Sequence, residues 1–327
     1  MAEIVYEPPA PPADGGAEPA ATGGAAPAPA DSAGPEREFT VEARSEWRMV
    51  LRRFLHHRLA IASLVVLILL VLLSLVGGRF WTYGYDDIIP VEDISQGPSW
   101  EHPMGTSANK DVFAQVLRGA QKSVQIMLLV ALFSTVIGVV LGAVAGYFGG
   151  KTDSILMRFI DLVLTIPILA VLAVLSNKVT QSGNWFSLAL VIAVLSWTTL
   201  ARIVRAEILS LREKEFVEAA RAAGASDRRI IFRHILPNVV GSIIVAATLT
   251  MAAAILIETA LSYLGLGIKA PDTSLGLLVS EGQTSAQTRP WLFYFPGLFI
   301  IMIVLCINFI GDGLRDAFDP KQTRVRA

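Results

Sequence analysis

The side chains able to do chemistry are few and scattered. The histidines are His56, His57, His102 and His234. Neighbours in sequence do not share a helix face, so His56 and His57 cannot converge on a metal, and no further ligand lies near them. Cys306 is the single cysteine; it excludes an intrachain disulfide, and inside an apolar run it reads as packing. Ala145–Thr152, AGYFGGKT, ends in Gly150-Lys151-Thr152 and fits a permissive phosphate-loop pattern. A working phosphate loop follows a β-strand and opens a helix, so that backbone amides cradle the phosphate. Here an apolar run of membrane-helix length precedes it, and no later strand ends in an acidic magnesium ligand. The acids Asp86, Asp87, Glu92, Asp93, Glu101 and Asp111 lack calcium-loop spacing. No nucleophile accompanies the histidines in sequence, so no catalytic, cofactor-binding or metal-binding residue is assigned and the chain is not expected to be an enzyme. Two acids stand in apolar surroundings. Glu258 lies in IETALSYLGLG, and Asp161 lies three residues after Arg158. A buried acid is costly and must face protein or water, which makes both candidate intramembrane functional residues. Glu258 is either a structural acid satisfied by a neighbouring helix or a pathway residue. Asp161 is expected to pair with Arg158 at the membrane edge.

The elements that must position these residues follow from composition. Of 327 residues, 53% are hydrophobic and 17% charged, which points to an all-α integral membrane protein with several spans. The net charge of −1 gives no case for nucleic acid as a partner. Six apolar runs read as transmembrane helices: Leu59–Val76, Val124–Tyr147, Ile155–Ser176, Phe186–Val204, Val239–Leu264 and Trp291–Ile310. Pro167 should kink the third. Gly138, Gly142 and Gly146 recur every four residues in the second, a spacing that lets helix backbones approach closely. The chain divides into a Pro/Ala/Gly-rich disordered tail (1–45), a basic amphipathic lead-in with the first span (46–76), an extracytoplasmic segment (77–121), a core of five spans (122–312) with a polar loop at 207–238, and a short tail (313–327). Arg44–Arg58, Lys151–Arg158, Arg202–Arg233 and Arg315–Arg326 fall on one side of a six-span arrangement, which places both termini and the polar loop in the cytoplasm and sets the lead-in helix against lipid.

The longest charge-rich interval between apolar runs is Glu215–Asn238, EFVEAARAAGASDRRIIFRHILPN. Alanine, glutamate and arginine before Gly224 favour helix, and Glu218 and Arg221 are spaced to pair. Gly224 suits the left-handed position that ends a helix. Ser226 is placed to cap the next helix, with Asp227 at its positive end. Pro237 should stop that helix and start the following one.

Glu218-Ala219-Ala220, Gly224 four residues later, and Leu236-Pro237 together resemble the "EAA" loop of ABC importer permeases. The HILPN ending is similar to the dipeptide/oligopeptide branch of that binding-protein-dependent family. His102–Val124 resembles the segment before the second span in that family, although Gly105-Thr106-Ser107 and Asn109-Lys110-Asp111 stand where GTD and GRD are usual. The resemblance covers about Arg48 to Pro320. It implies a type I ABC importer permease fold of six spans with a cytoplasmic coupling helix. It also implies ATPase coupling through Glu218, Ala219, Ala220, Gly224, Leu236 and Pro237. The partners implied are a homologous second permease subunit, two ABC ATPase subunits carrying ATP and Mg, and an extracytoplasmic substrate-binding protein that delivers short peptides. The competing expectation is a stand-alone secondary transporter or channel. Sparse midplane charge and the lack of an inverted repeat count against it.

Overall fold

The computed structural model describes residues 46–179 and 184–319. The expected tail at 1–45, the residues from 320 onward, and 180–183 in the third turn lie outside the described residues. Among the described residues every regular element is helical, apart from one isolated antiparallel bridge between Thr106 and Asp111.

Helix α1 (Glu46–His56) is the amphipathic lead-in. His57 ends it and caps α2 (Arg58–Phe80), its Nδ1 accepting from the Ala60 amide at 3.1 Å. Helix α3 runs from Val112 to Phe148. Its 37 residues span about 55 Å at 1.5 Å per residue, against a hydrocarbon core of about 30 Å, so the polar turns before Val124 project beyond the expected span. The third apolar run is two helices, α4 (Gly150–Thr165) and α5 (Ile168–Val179), bent by 78° at Ile166-Pro167. The fourth is α6 (Trp185–Ser196) and α7 (Thr198–Leu211), bent by 42°. Helix α8 (Glu215–Ala222) lies in the polar loop, followed by a single turn α9 (Asp227–Arg229), a π-helical stretch Ile230–Ile235, and α10 (Leu236–Tyr263). Helix α11 (Leu275–Gln283) precedes the last span, α12 (Trp291–Phe318). Among the described residues, length and apolarity thus give four continuous membrane-crossing helices, and up to six spans when each bent pair counts as one.

Pro237 stands in the first turn of α10 as expected, but the helical path through it is not interrupted. A proline lacks the amide that would bond back one turn, and its ring crowds the carbonyl four residues earlier. The wide π turn just before it absorbs that misfit, so Asp227–Tyr263 continues as one 37-residue span. Close packing centres on the glycine stripe of α3. A Cβ built on Gly142 would lie 2.6 Å from the Ala201 carbonyl oxygen, and one on Gly146 would lie 2.8 Å from that of Arg205. The stripe therefore seats the backbone of α7. A second close approach joins α2 to α12, where a Cβ on Gly313 would lie 2.4 Å from that of Ala60. Without a hydrophobic drive between helices in lipid, such contacts supply the association.

Candidate functional site

The polar loop is built around one buried side chain. Val217 of α8 is fully buried among Tyr147, Leu200, Val204, Ile208, Ile230 and Ile235. Helix α8 ends in a Schellman turn. The Gly224 amide bonds the Arg221 carbonyl at 3.0 Å, the Ala225 amide bonds that of Ala220 at 3.0 Å, and Gly224 has φ +78°. Ser226 has the extended backbone of an N-cap, but its side chain makes no capping bond. Asp227 instead accepts from the Tyr147 hydroxyl at 2.6 Å, which ties the loop to the end of α3. Glu218 and Arg221 form no ion pair, and both are exposed.

Charged side chains brace this loop from above. The Arg205 guanidinium of α7 donates twice to the Asp153 carboxylate of α4, the Nη2–Oδ2 bond being 2.6 Å. Arg212 donates to the Gly146 and Tyr147 carbonyls at 3.2 and 3.4 Å, the free acceptors at the end of α3. Ser242 donates to Glu207 at 2.9 Å, joining α10 to α7. Below the brace, Phe216, Glu218, Ala219, Ala222, Ala223 and Phe232 are exposed on this subunit. Of the other sequence-assigned loop residues, Ala220 and Leu236 are half-buried against the Val217 cluster, and Pro237 is exposed. At the same end, Arg53 of α1 donates to the Asp319 carbonyl at 3.3 Å, beyond the last turn of α12. The glycines of AGYFGGKT form a helix-to-helix turn, Gly149 at φ +63° and Gly150 at φ +53°.

Asp161 pairs with Arg202 of α7 rather than with Arg158. Arg158 and Asp161 are close in sequence, but the α4–α7 packing brings the guanidinium from the other helix. Glu258 is fully buried. Its Oε1 accepts from Ser262 at 2.7 Å and its Oε2 from Ser123 of α3 at 3.0 Å. Ser262 lies 3.3 Å from Ser274, the N-cap of α11. The acid thus links α3, α10 and α11 through hydroxyls.

One turn of α3 further on lies a group that sequence spacing does not disclose. Asp272 accepts from Arg118 Nε at 2.9 Å and faces Lys122 Nζ at 2.9 Å. The ammonium also sits 4.7 Å from the Trp185 ring centre. Burial opposes the charged form of Asp272, but the hydrogen bonds from Lys122 and Arg118 outweigh it and hold the carboxyl below its ordinary pKa. Asp111 caps α3 through the Ala114 amide and also accepts from Trp81 Nε1 and His102 Nδ1, each at 2.9 Å. Gly105, at φ +74°, lets Trp291 of α12 come close; a Cβ there would lie 2.8 Å from the indole nitrogen. The segment that resembles the family's pre-span motif is therefore a set of backbone and carboxylate ties between α2, α3 and α12.

The bundle of the described residues is thus all-helical, with bent third and fourth spans and a braced polar loop at one end. The chain belongs to the family described as binding-protein-dependent transport system inner membrane component, whose profile matches residues 138–324. A second profile, the N-terminal TM domain of oligopeptide transport permease C, matches residues 45–98. The chain is 44% identical over 286 residues to the oligopeptide transport system permease protein OppC of Mycobacterium tuberculosis, covering 87% of this chain and 98% of that one. It is 41% identical over 284 residues to OppC of Escherichia coli K12, covering 86% and 93%. Its fold is similar to a chain of the methionine ABC transporter MetNI in an inward-facing conformation, with TM-score 0.53, 18% identity, and coverage of 63% of this chain and 96% of that one. The protein is thus a multi-pass permease of the bacterial inner membrane.

Proposed function

We propose that this chain is one half of the pathway of an ATP-driven importer of short peptides, a reading supported by the curated OppC relatives. The observation that carries it is the asymmetry of α8. Its inner side packs through Val217 and Ala220 on residues of α3, α7 and α10, the Asp227–Tyr147 and Arg212 bonds fix the segments that flank it, and Phe216, Ala219 and Ala222 are exposed. A short helix rigidly joined to the spans and open below suits transmission of force from a separate ATPase subunit. Ala219 gives a smooth exposed surface, Ala220 lets α8 sit close on the Val217 cluster, Glu218 gives a polar contact, and Gly224 the turn that sets the angle of α8. Leu236 and Pro237 open α10, the helix that α8 would move. ATP and Mg belong to two partner ATPases, a homologous permease completes the pathway, and an external binding protein delivers cargo. The positive-inside rule sets α8 and both termini in the cytoplasm. Closure of the ATPases then rocks the spans as rigid bodies.

The bends in spans three and four face α10 across a cavity of about 560 Å³, lined by apolar residues with Ser196, Thr198, Thr199 and Thr250. This is the wall we assign to the pathway. The test is affinity purification of the tagged chain from native membranes in mild detergent, with mass spectrometry of its companions. A second permease and two nucleotide-binding subunits are expected. A stable homo-oligomer that transports on an ion gradient alone would overturn the reading.

A further inference from the structure

At the end opposite α8, the loop before α3, the 270–273 segment, α11 and the first turns of α12 enclose a cavity of about 350 Å³. Two of its charges are committed. Asp272 serves Arg118 and Lys122, and Lys110 bridges Asp86 at 2.6 Å. Two others are not. The Glu281 carboxylate on α11 and the half-buried Arg289 guanidinium just before α12 have no hydrogen-bond or ion-pair partner among the described residues. The walls add the Tyr85 hydroxyl, the Gln115 amide and the Ser285 hydroxyl, also without side-chain partners among the described residues. Thr273, 5% exposed, contributes a buried hydroxyl oxygen with no partner.

A concave site with one free anion, one free cation and neutral hydrogen-bonding groups in its walls is complementary to a small zwitterion. Its volume falls in the range of roughly 300–1,000 Å³ typical of ligand sites. We infer that this cavity is a subsite for a short peptide with free ends, its α-ammonium against Glu281 and its α-carboxylate in the planar fork of Arg289. The inference rests on the peptide-permease reading above. Arginine is suited to the carboxylate because it can donate two parallel hydrogen bonds. Burial pushes the Glu281 carboxyl above its ordinary pKa, and the field of Lys110 works against that rise and favours the anion that an ammonium would meet. Neutral groups in the walls can meet peptide N–H and C=O without reading a side chain, which suits a carrier of varied peptides.

The test is equilibrium binding of radiolabelled Ala-Phe to the assembled transporter in lipid nanodiscs without the external binding protein. Wild type is expected to bind the free dipeptide and to prefer it at least about tenfold over both the N-acetylated and the C-amidated forms, since each modification removes one charged hydrogen-bonding end. Arg289→Gln should lose affinity by about tenfold and lose discrimination against the amide, while Arg289→Lys retains part of both. Glu281→Gln should lose discrimination against the acetylated form. Unchanged melting of each variant in detergent establishes that it is folded. No binding at millimolar dipeptide, or both Gln variants binding as wild type, overturns the subsite. Peptide uptake driven by the binding protein, measured on the same preparations, separates the two readings. Intact uptake with no direct binding rejects the subsite alone, whereas uptake of no peptide at all rejects the peptide-permease reading.

Discussion

Replacing Asp272 by Asn should destabilise the fold far more than a typical surface change. The carboxylate meets two cations at 2.9 Å, and the Lys122 side chain is only 9% exposed. At an effective dielectric constant of about 20, each contact is worth about 5–6 kcal/mol of gross attraction. Desolvation of the three charges takes most of that back, so the intact cluster is a small net term. Removing the shared anion is different, because it strands a buried ammonium beside a second cation. The expected cost is about 2–4 kcal/mol, below the range of a fully buried pair because Asp272 keeps some solvent contact. Asparagine nearly preserves shape, so the loss is electrostatic. The double variant Lys122→Met/Asp272→Asn removes the stranded charge and should recover at least half of the loss.

The assay is thermal unfolding in detergent followed by intrinsic fluorescence. The pH dependence has a definite sign. The folded carboxyl titrates below its ordinary pKa, so its stabilisation is present above about pH 4 and is lost as the pH falls through the folded value. The gap between wild type and Asp272→Asn should be flat from pH 7 to about 5 and then narrow. A double variant as unstable as the sum of the singles would refute the stranded-charge reasoning. So would a single variant within about 0.5 kcal/mol of wild type, the scatter of ordinary surface substitutions.

Gly142→Leu should sharply reduce the amount of folded protein in the membrane, because even a Cβ there meets the Ala201 carbonyl at 2.6 Å; normal levels on quantitative immunoblots would show that α3 and α7 are not in contact. Gly224→Ala meets no atom within 4 Å and carries only the left-handed strain of about 1–2 kcal/mol, so protein levels should hold. Gly224→Pro, or Ala220→Trp, should abolish peptide uptake while the protein stays in the membrane, and normal uptake by a well-expressed variant would remove the coupling role. Glu258→Gln should preserve uptake and melting, because an amide can still meet Ser123 and Ser262, whereas Glu258→Leu should lower stability by about 1–3 kcal/mol through the hydroxyls left unpaired. Loss of uptake in a stable Glu258→Gln would instead assign the acid to the pathway.

Much of the scaffold was legible in the chain because lipid leaves few choices. Each apolar run of about 20 residues must be helical to satisfy its own backbone. The glycine spacing in α3 likewise foretold a close helix contact, although not that α7 would fill it. Local spacing misled where partners came from afar. Asp161 had Arg158 three residues away, yet its partner is Arg202 on another helix. Asp153 and Arg205 are 52 positions apart, and Arg118 and Asp272 are 154 apart, so neither pair leaves a mark in any local window. Pro167 foretold a bend but not one of 78°, because the angle depends on what the freed backbone packs against.

The two ends of the molecule share one element. At one end α3 receives the Tyr147–Asp227 bond and gives its last carbonyls to Arg212. At the other it supplies Arg118, Lys122 and Ser123 to the group that holds α11. Between these ends the glycine stripe seats α7, the helix that leads directly into α8. On the proposed coupling role, a displacement of α8 would pass first to the π-helical start of the Asp227–Tyr263 span, and to α3 through the Asp227–Tyr147 bond and through α7. Helix α3 carries it to α11, whose Glu281 lines the outer cavity. Spans three and four, broken near their middles, cannot serve as such a shaft because a bend absorbs displacement that a straight helix transmits. In this division of labour α3 links the two ends and the bent spans change the shape of the space between them.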